Sequence, residues 1–82
     1  MVYVDEMRRS RWRYAVSCHM FADDEQELIA FAAEIGLKER WWHRSRNGIL
    51  HYDLVERFRK KALAAGAKEV RTKDMLRKIC KN

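Results

Sequence analysis

Asp23-Asp24-Glu25-Gln26-Glu27-Leu28-Ile29-Ala30-Phe31-Ala32-Ala33-Glu34-Ile35-Gly36 is the stretch on which the fold turns. Leu28, Phe31, Ala32 and Ile35 fall at the spacing of one face of a helix, so the segment predicts an amphipathic helix. Asp23 is placed to cap it, offering a carboxylate to the unpaired amides of the first turn, with Gln26 at the matching third position. Asp24, Glu25 and Glu27 then oppose the positive end of the helix dipole. Gly36 ends the helix, because glycine takes the left-handed terminating conformation without strain.

Working outward, short β-favouring runs flank this helix. Val2-Tyr3-Val4 predicts a first strand, broken by Met7–Ser10. Arg11-Trp12-Arg13-Tyr14-Ala15-Val16 alternates charge with bulk, as a half-buried strand or extended arm does, and Cys18-His19-Met20-Phe21 predicts a further strand. Leu37–His43 holds a short strand around Trp41-Trp42, and Arg44-Ser45-Arg46-Asn47-Gly48 reads as a loop. Asp53 is read as a second cap, three residues before Glu56, for a helix that buries Val55, Phe58, Ala62 and Ala65 and stops at Gly66. Lys68-Glu69-Val70-Arg71 reads as a strand, and Thr72 opens a last helix with Met75, Leu76, Ile79 and Cys80 on its apolar side. Strands alternating with helices predict an α/β fold: one domain over residues 1–82, a small, partly parallel sheet of three to four strands packed by three helices.

Composition narrows the class. The chain has 82 residues, 48% of them apolar and 37% charged, which suits a folding globule rather than a disordered tail. Three glycines, no proline and two cysteines exclude collagen-like chains, linkers and disulfide scaffolds. The longest apolar run is Leu28–Ala33, far short of the roughly 20 residues of a membrane span. The opening Met1-Val2-Tyr3-Val4-Asp5-Glu6 has no basic cap before an apolar run, so no secretory signal is expected. Cys18 and Cys80 stand alone, with no CxxC, and read as reduced thiols of a cytoplasmic protein; whether the two lie near each other is open.

Charge is uneven. Lys and Arg exceed Asp and Glu by six, yet residues 7–16 hold only bases and residues 23–34 only acids. The result is one acidic helix face in a basic background, a field that draws phosphate-rich partners.

Tyr3-Val4-Asp5, His19, Glu27-Leu28, Phe31-Ala32, Gly36, His51-Tyr52-Asp53 and Gly66-Ala67 together resemble a group of short phage and bacterial proteins, domain-of-unknown-function family four-zero-three-one. The resemblance spans nearly the whole chain, and His51-Tyr52-Asp53 before a helix ending in Gly-Ala is its most specific element. It implies a compact α/β domain, often from a phage genome, and carries no established activity. The resemblance implies that relatives often have a Pro-rich stretch after the first strand. Here Met7-Arg8-Arg9-Ser10-Arg11 stands instead, which makes the basic arm a feature of this branch.

Two residue sets could carry function. Asp5, His19, His51 and Asp53 combine two carboxylates with two imidazoles, which suits general acid–base work near neutral pH. The same set suits a divalent metal such as zinc or manganese, although its spacings match no named metal motif and no cofactor is required. A purely structural role is the competing account, with Asp53 as a helix cap, His19 in the core and Asp5 neutralising an arginine. The second set is Arg8, Arg9, Arg11, Trp12, Arg13, Arg44 and Arg46, with Trp41 and Trp42 nearby. Guanidinium groups pair with phosphates and indoles stack on bases, so this set suits single-stranded nucleic acid, while a core place for at least one Trp is the bland alternative.

The leading expectation is therefore a small, basic, non-enzymatic binding module that engages a polyanion, most plausibly nucleic acid, through its Arg/Trp arm. The first alternative is a small phosphoesterase or nucleotide-handling enzyme using the Asp/His set. The second is an accessory adaptor that docks to a host protein through its oppositely charged faces.

Overall fold

The computed structural model describes residues 1–9, 16–44 and 48–74. The strands are β1 (Val2–Val4), β2 (Arg8–Arg9), β3 (Val16–Ala22), β4 (Trp42–Arg44), β5 (Leu50–Leu54) and β6 (Lys68–Glu69). The helices are α1 (Glu25–Glu34) and α2 (Glu56–Ala64), with a 3₁₀ turn at Glu39–Trp41 and helical backbone again at 72–74. The α/β expectation holds, with more strands than the sequence suggests. Five strands run in the order β4-β5-β3-β1-β6, and β2 pairs with one end of β3. Among the described residues only β1 and β6 pair in parallel, and every other pairing is antiparallel. The strands the sequence reading lacks are the two-residue β2, too short to show a period, and the five-residue β5, where Asp53 reads as a helix cap. Arg8 and Arg9 pair with β3, where the sequence suggested only a break.

The sheet separates two kinds of side chain, because successive residues of a strand point to opposite faces. Val2, Val4, Cys18, Met20, Leu50, Tyr52 and Leu54 face the helices and form one core with Leu28, Ala32, Ile35 and Ala62. Burying side chains as completely as Met20, Leu28 and Leu54 contributes about 1.5–3 kcal/mol each. On the other face Tyr3 stacks on Phe21 at 5.1 Å between ring centroids, with Val70 against them. Farther along that face come Asp5, His19, His51 and Asp53.

Helix α1 forms where the stripe predicts it, but its cap is Asp24, whose Oδ1 accepts from the Gln26 amide at 2.9 Å. Asp23 instead accepts from the Tyr3 hydroxyl at 3.0 Å. At the other end Gly36 has φ 93°, the Leu37 amide donates to the Ala32 carbonyl and the Gly36 amide to the Ala33 carbonyl. This left-handed termination repeats after α2 at Gly66.

A larger correction concerns Asp53. It is not a helix cap: it lies within β5, and the residue before α2 is Val55, which makes no side-chain cap. The alternation Leu50, Tyr52, Leu54 on the core face carries the strand past Asp53, and Cys18 pairs with Leu54. Hydrophobic alternation thus overrides the local resemblance of Asp53 and Glu56 to a capping pair. Val55 and Ala65 are accordingly exposed rather than buried. Residues Met75, Leu76, Ile79 and Cys80 of the expected last helix lie outside the described residues.

Candidate active site

Asp5 follows β1 and is the one buried charged side chain among the described residues. Its surroundings answer it fully. Oδ1 accepts the backbone amide of His19 at 2.6 Å, and Oδ2 accepts from His19 Nδ1 at 3.0 Å and from the Thr72 hydroxyl at 3.1 Å. Burial alone pushes the carboxyl up, but the hydrogen bonds from the His19 ring and amide, the His19 charge and the Thr72 hydroxyl outweigh it and hold the pKa below the ordinary value. The main-chain carbonyl of Asp5 accepts from Arg59 Nε at 3.0 Å, and the same guanidinium pairs with Glu69. Arg59 therefore ties α2 to the ends of β1 and β6. The arginine beside Asp5 touches its backbone, while the carboxylate serves histidine and threonine.

A carboxylate only accepts, so His19 carries its proton on Nδ1 and turns Nε2 toward Asp53, whose Oδ1 is 3.6 Å away. Register explains the meeting. His19 stands opposite Asp53, and His43 opposite His51, across neighbouring antiparallel strands. His51 directs Nδ1 at the Ile49 carbonyl, 3.3 Å away, and its Nε2 lies 3.9 Å from Asp53 Oδ1. His43 Nε2 lies 3.8 Å from Asp53 Oδ2. The His19 and His51 rings are 5.6 Å apart and those of His43 and His51 5.9 Å. The chain has three histidines, and all three converge on one carboxylate.

The four residues singled out as an acid–base set are thus neighbours on one sheet face. The sequence reading missed three contributors. His43 sits in a strand too short to show a period, and only the register with β5 brings it to Asp53. Thr72 and Arg59 reach Asp5 from distant points of the chain, with no sequence signal. The cluster is accessible at His19, His43 and Asp53, with side chains 46%, 58% and 47% exposed. Among the described residues no group of three or more His, Cys, Asp or Glu side chains stands ready as a ligand cage, since the imidazoles surround a carboxylate.

Cys18 lies on the opposite face, buried and unpaired by any disulfide, and burial with the nearby Asp5 charge pushes its thiol up to about 12. It is a packing residue, not a nucleophile.

The basic and aromatic set is only partly described. Arg11, Trp12, Arg13 and Arg46 lie outside the described residues, and Arg8 and Arg9 are placed by their backbone alone. Arg44 is not in a loop. It closes β4 and pairs with Glu25 of α1 through both terminal nitrogens, at 3.0 and 3.2 Å. That contact holds the Glu25 carboxyl below its usual range. Trp41 and Trp42, for which a core place was the bland expectation, are both exposed. Lys38 lies 5.7 Å from the Trp41 ring and Arg44 5.5 Å from the Trp42 ring. In the described residues of α2, Lys60 pairs with Glu56, while Arg57 and Lys61 flank the ring of Phe58. No helix among the described residues is long and apolar enough to cross a membrane.

Fold and site together define a small α/β sheet protein with a histidine–carboxylate cluster on the face turned from α1 and α2. A family model described as "Protein of unknown function (DUF4031)" matches residues 2–82, and the chain belongs to that family. No curated protein and no solved structure matches it.

Proposed function

We propose that the chain is a small acid–base catalyst acting on phosphoester bonds of nucleotides or nucleic acid. One observation carries this reading: the His19 ring stands between Asp5, just past β1, and Asp53 of β5, its two nitrogens 3.0 and 3.6 Å from their carboxylates, with His51 and His43 beside them. Asp5 fixes the tautomer and tilt of His19, as the buried carboxylate of a catalytic dyad does. His19 Nε2 then takes the proton of an attacking water. The new phosphorus–oxygen bond forms as the ester bond breaks, and the leaving oxygen takes the Nε2 proton of His51 acting in its imidazolium form. The net positive charge of the chain favours the approach of an anionic substrate. The test is release of nitrophenolate from bis(p-nitrophenyl) phosphate, and cleavage of labelled single-stranded DNA and RNA. Turnover is expected, falling by about 100-fold or more in His19→Ala, the range of general acid–base catalysis. Hydrolysis no faster than buffer on every substrate would remove the reading.

A second reading, the polyanion-binding module, is favoured by the exposed Trp41-Trp42 pair with Lys38 and Arg44 against the rings. Stacked bases on these indoles, with Arg8, Arg9, Arg11 and Arg13 on the phosphates, would give affinity that falls with salt. Anisotropy of a labelled oligonucleotide at two salt concentrations tests it, and binding unchanged in Trp42→Ala would argue against it.

A further inference from the structure

We propose that Thr72 is a positioning residue for His19: its hydroxyl, acting through the Asp5 carboxylate, holds the His19 ring with its proton on Nδ1 and with Nε2 turned toward Asp53. The kinetic consequence rests on the acid–base reading, while the state of the ring is testable by itself.

The first argument is the sharing of one oxygen. Asp5 is fully buried, so its carboxylate depends on protein donors. Among the described residues two of those donors belong to His19: the amide on Oδ1 and ring Nδ1 on Oδ2. The Thr72 hydroxyl, 3.1 Å from the same Oδ2, comes from elsewhere in the chain. It is the donor of that bond, since an ionised carboxylate only accepts. Two donors on one oxygen engage both of its lone pairs and fix the plane of the carboxylate. A carboxylate held only by the histidine that it orients could rock together with the ring.

The second argument is that Thr72 is itself anchored. β6 runs beside β1, with Lys68 opposite Tyr3 and Glu69 opposite Val4. The Val70 amide donates to the Val4 carbonyl at 2.8 Å, and the Thr72 amide donates to Glu6 Oε1 at 3.2 Å. Arg59 binds both the Asp5 carbonyl and the Glu69 carboxylate. Residues 68–72 are thus tied to residues 3–6 along their length. The hydroxyl reaches Asp5 on a short, branched side chain with a stiff χ1, the rigid support that an orienting hydrogen bond needs.

Chemistry supplies the third. Nε2 of a neutral imidazole accepts a proton only while Nδ1 keeps its own. A hydrogen bond from Nδ1 to a fixed acceptor selects that tautomer and aims the ring. The His19 side chain is half exposed, and Asp5 with Thr72 holds it from the buried side.

The test compares full-length wild type, Thr72→Val and Thr72→Ser, each checked for native circular dichroism. Valine keeps the branched shape and removes the hydroxyl, while serine keeps the hydroxyl and removes a methyl. The first readout is ¹⁵N NMR of histidine-labelled protein at a pH where imidazole is neutral, since the ring nitrogens report the tautomer. Wild-type His19 is expected to be the Nδ1–H tautomer. Thr72→Val is expected to shift toward a mixture of both tautomers, and Thr72→Ser to match wild type. The second readout is hydrolysis of bis(p-nitrophenyl) phosphate. In Thr72→Val, kcat is expected to fall about tenfold or more, the worth of one hydrogen bond to a charged group, with KM unchanged and with recovery in Thr72→Ser. A wild-type His19 with its proton on Nε2 overturns the proposal without any variant. So does a Thr72→Val ring spectrum identical to wild type, or a serine variant that behaves as valine does, which would assign Thr72 to packing. If every form lacks hydrolysis, the acid–base reading falls, and the ring signals still uphold or overturn the role of Thr72.

Discussion

Nδ1 of His19 lies 3.0 Å from Oδ2 of Asp5, two residues 14 apart in sequence and side by side across β3 and the end of β1. The same carboxylate also takes the His19 amide and the Thr72 hydroxyl. Asp5→Ala removes all three contacts and leaves buried donors without a partner. A loss of about 1–3 kcal/mol in urea unfolding is expected for the unsatisfied groups. Thr72→Val removes one contact only and is expected to fall well short of that loss. Equal losses in the two variants would mean that the carboxylate is not the hub described.

Asp53 offers a test of the corrected strand boundary. A helix cap replaced by alanine loses about 1 kcal/mol. Asp53 caps nothing, so Asp53→Ala is expected to change unfolding free energy by no more than about 0.5 kcal/mol, as surface changes do. Asp24→Ala, at the true cap of α1, is expected to show the full loss. Chemical denaturation of the two variants side by side decides the point.

Leu54 and Val55 are adjacent but belong to different environments. Leu54 is buried in the core and Val55 is exposed. Leu54→Ala is expected to lose about 2–5 kcal/mol, the range for large-to-small core changes. Val55→Ala is expected to be near neutral, and comparable losses at both positions would contradict the register of β5.

The Glu25–Arg44 pair gives a pH dependence. Arg44 holds the Glu25 carboxyl below its ordinary value in the folded chain. Its stabilisation is therefore present above the carboxyl's unfolded pKa and is lost as pH falls through the lower folded value. The melting temperatures of wild type and Glu25→Gln are expected to differ slightly at pH 7, with wild type the higher, and to converge in acid. Added salt should shrink the difference at pH 7, since both side chains are exposed.

Cys18 is expected to resist alkylation in the native state. Its side chain is buried and its thiol stays protonated far above neutral pH. In a Cys80→Ala background, iodoacetamide should label folded protein slowly and urea-unfolded protein promptly, as read by mass spectrometry. Prompt native labelling would place Cys18 outside the core.

The residues that were legible in sequence are those whose signal is local. The stripe Leu28, Phe31, Ala32, Ile35 and the stop at Gly36 predict α1, with the cap displaced by one residue because Asp23 and Asp24 carry the same chemistry. His51 and Asp53 stand two residues apart in sequence, and β5 sets them on one face of the sheet. What sequence could not supply is register. His43 joins the cluster only because it pairs with His51, and Thr72 meets Asp5 across 67 residues. Arg44 could be read as a phosphate-binding loop residue until the fold brought Glu25 to it.

The two-residue strand β6 lies alongside β1 in parallel, and the Val70 amide donates to the Val4 carbonyl at 2.8 Å. This short cover shields hydrogen-bonding groups along one margin of the sheet. A chain clipped by a protease before Lys68 would lose that guard and leave Val2-Tyr3-Val4 as a bare template for pairing with other molecules. Self-association would then compete with folding, and the residues that complete the surroundings of Asp5 would be gone from the same fragment.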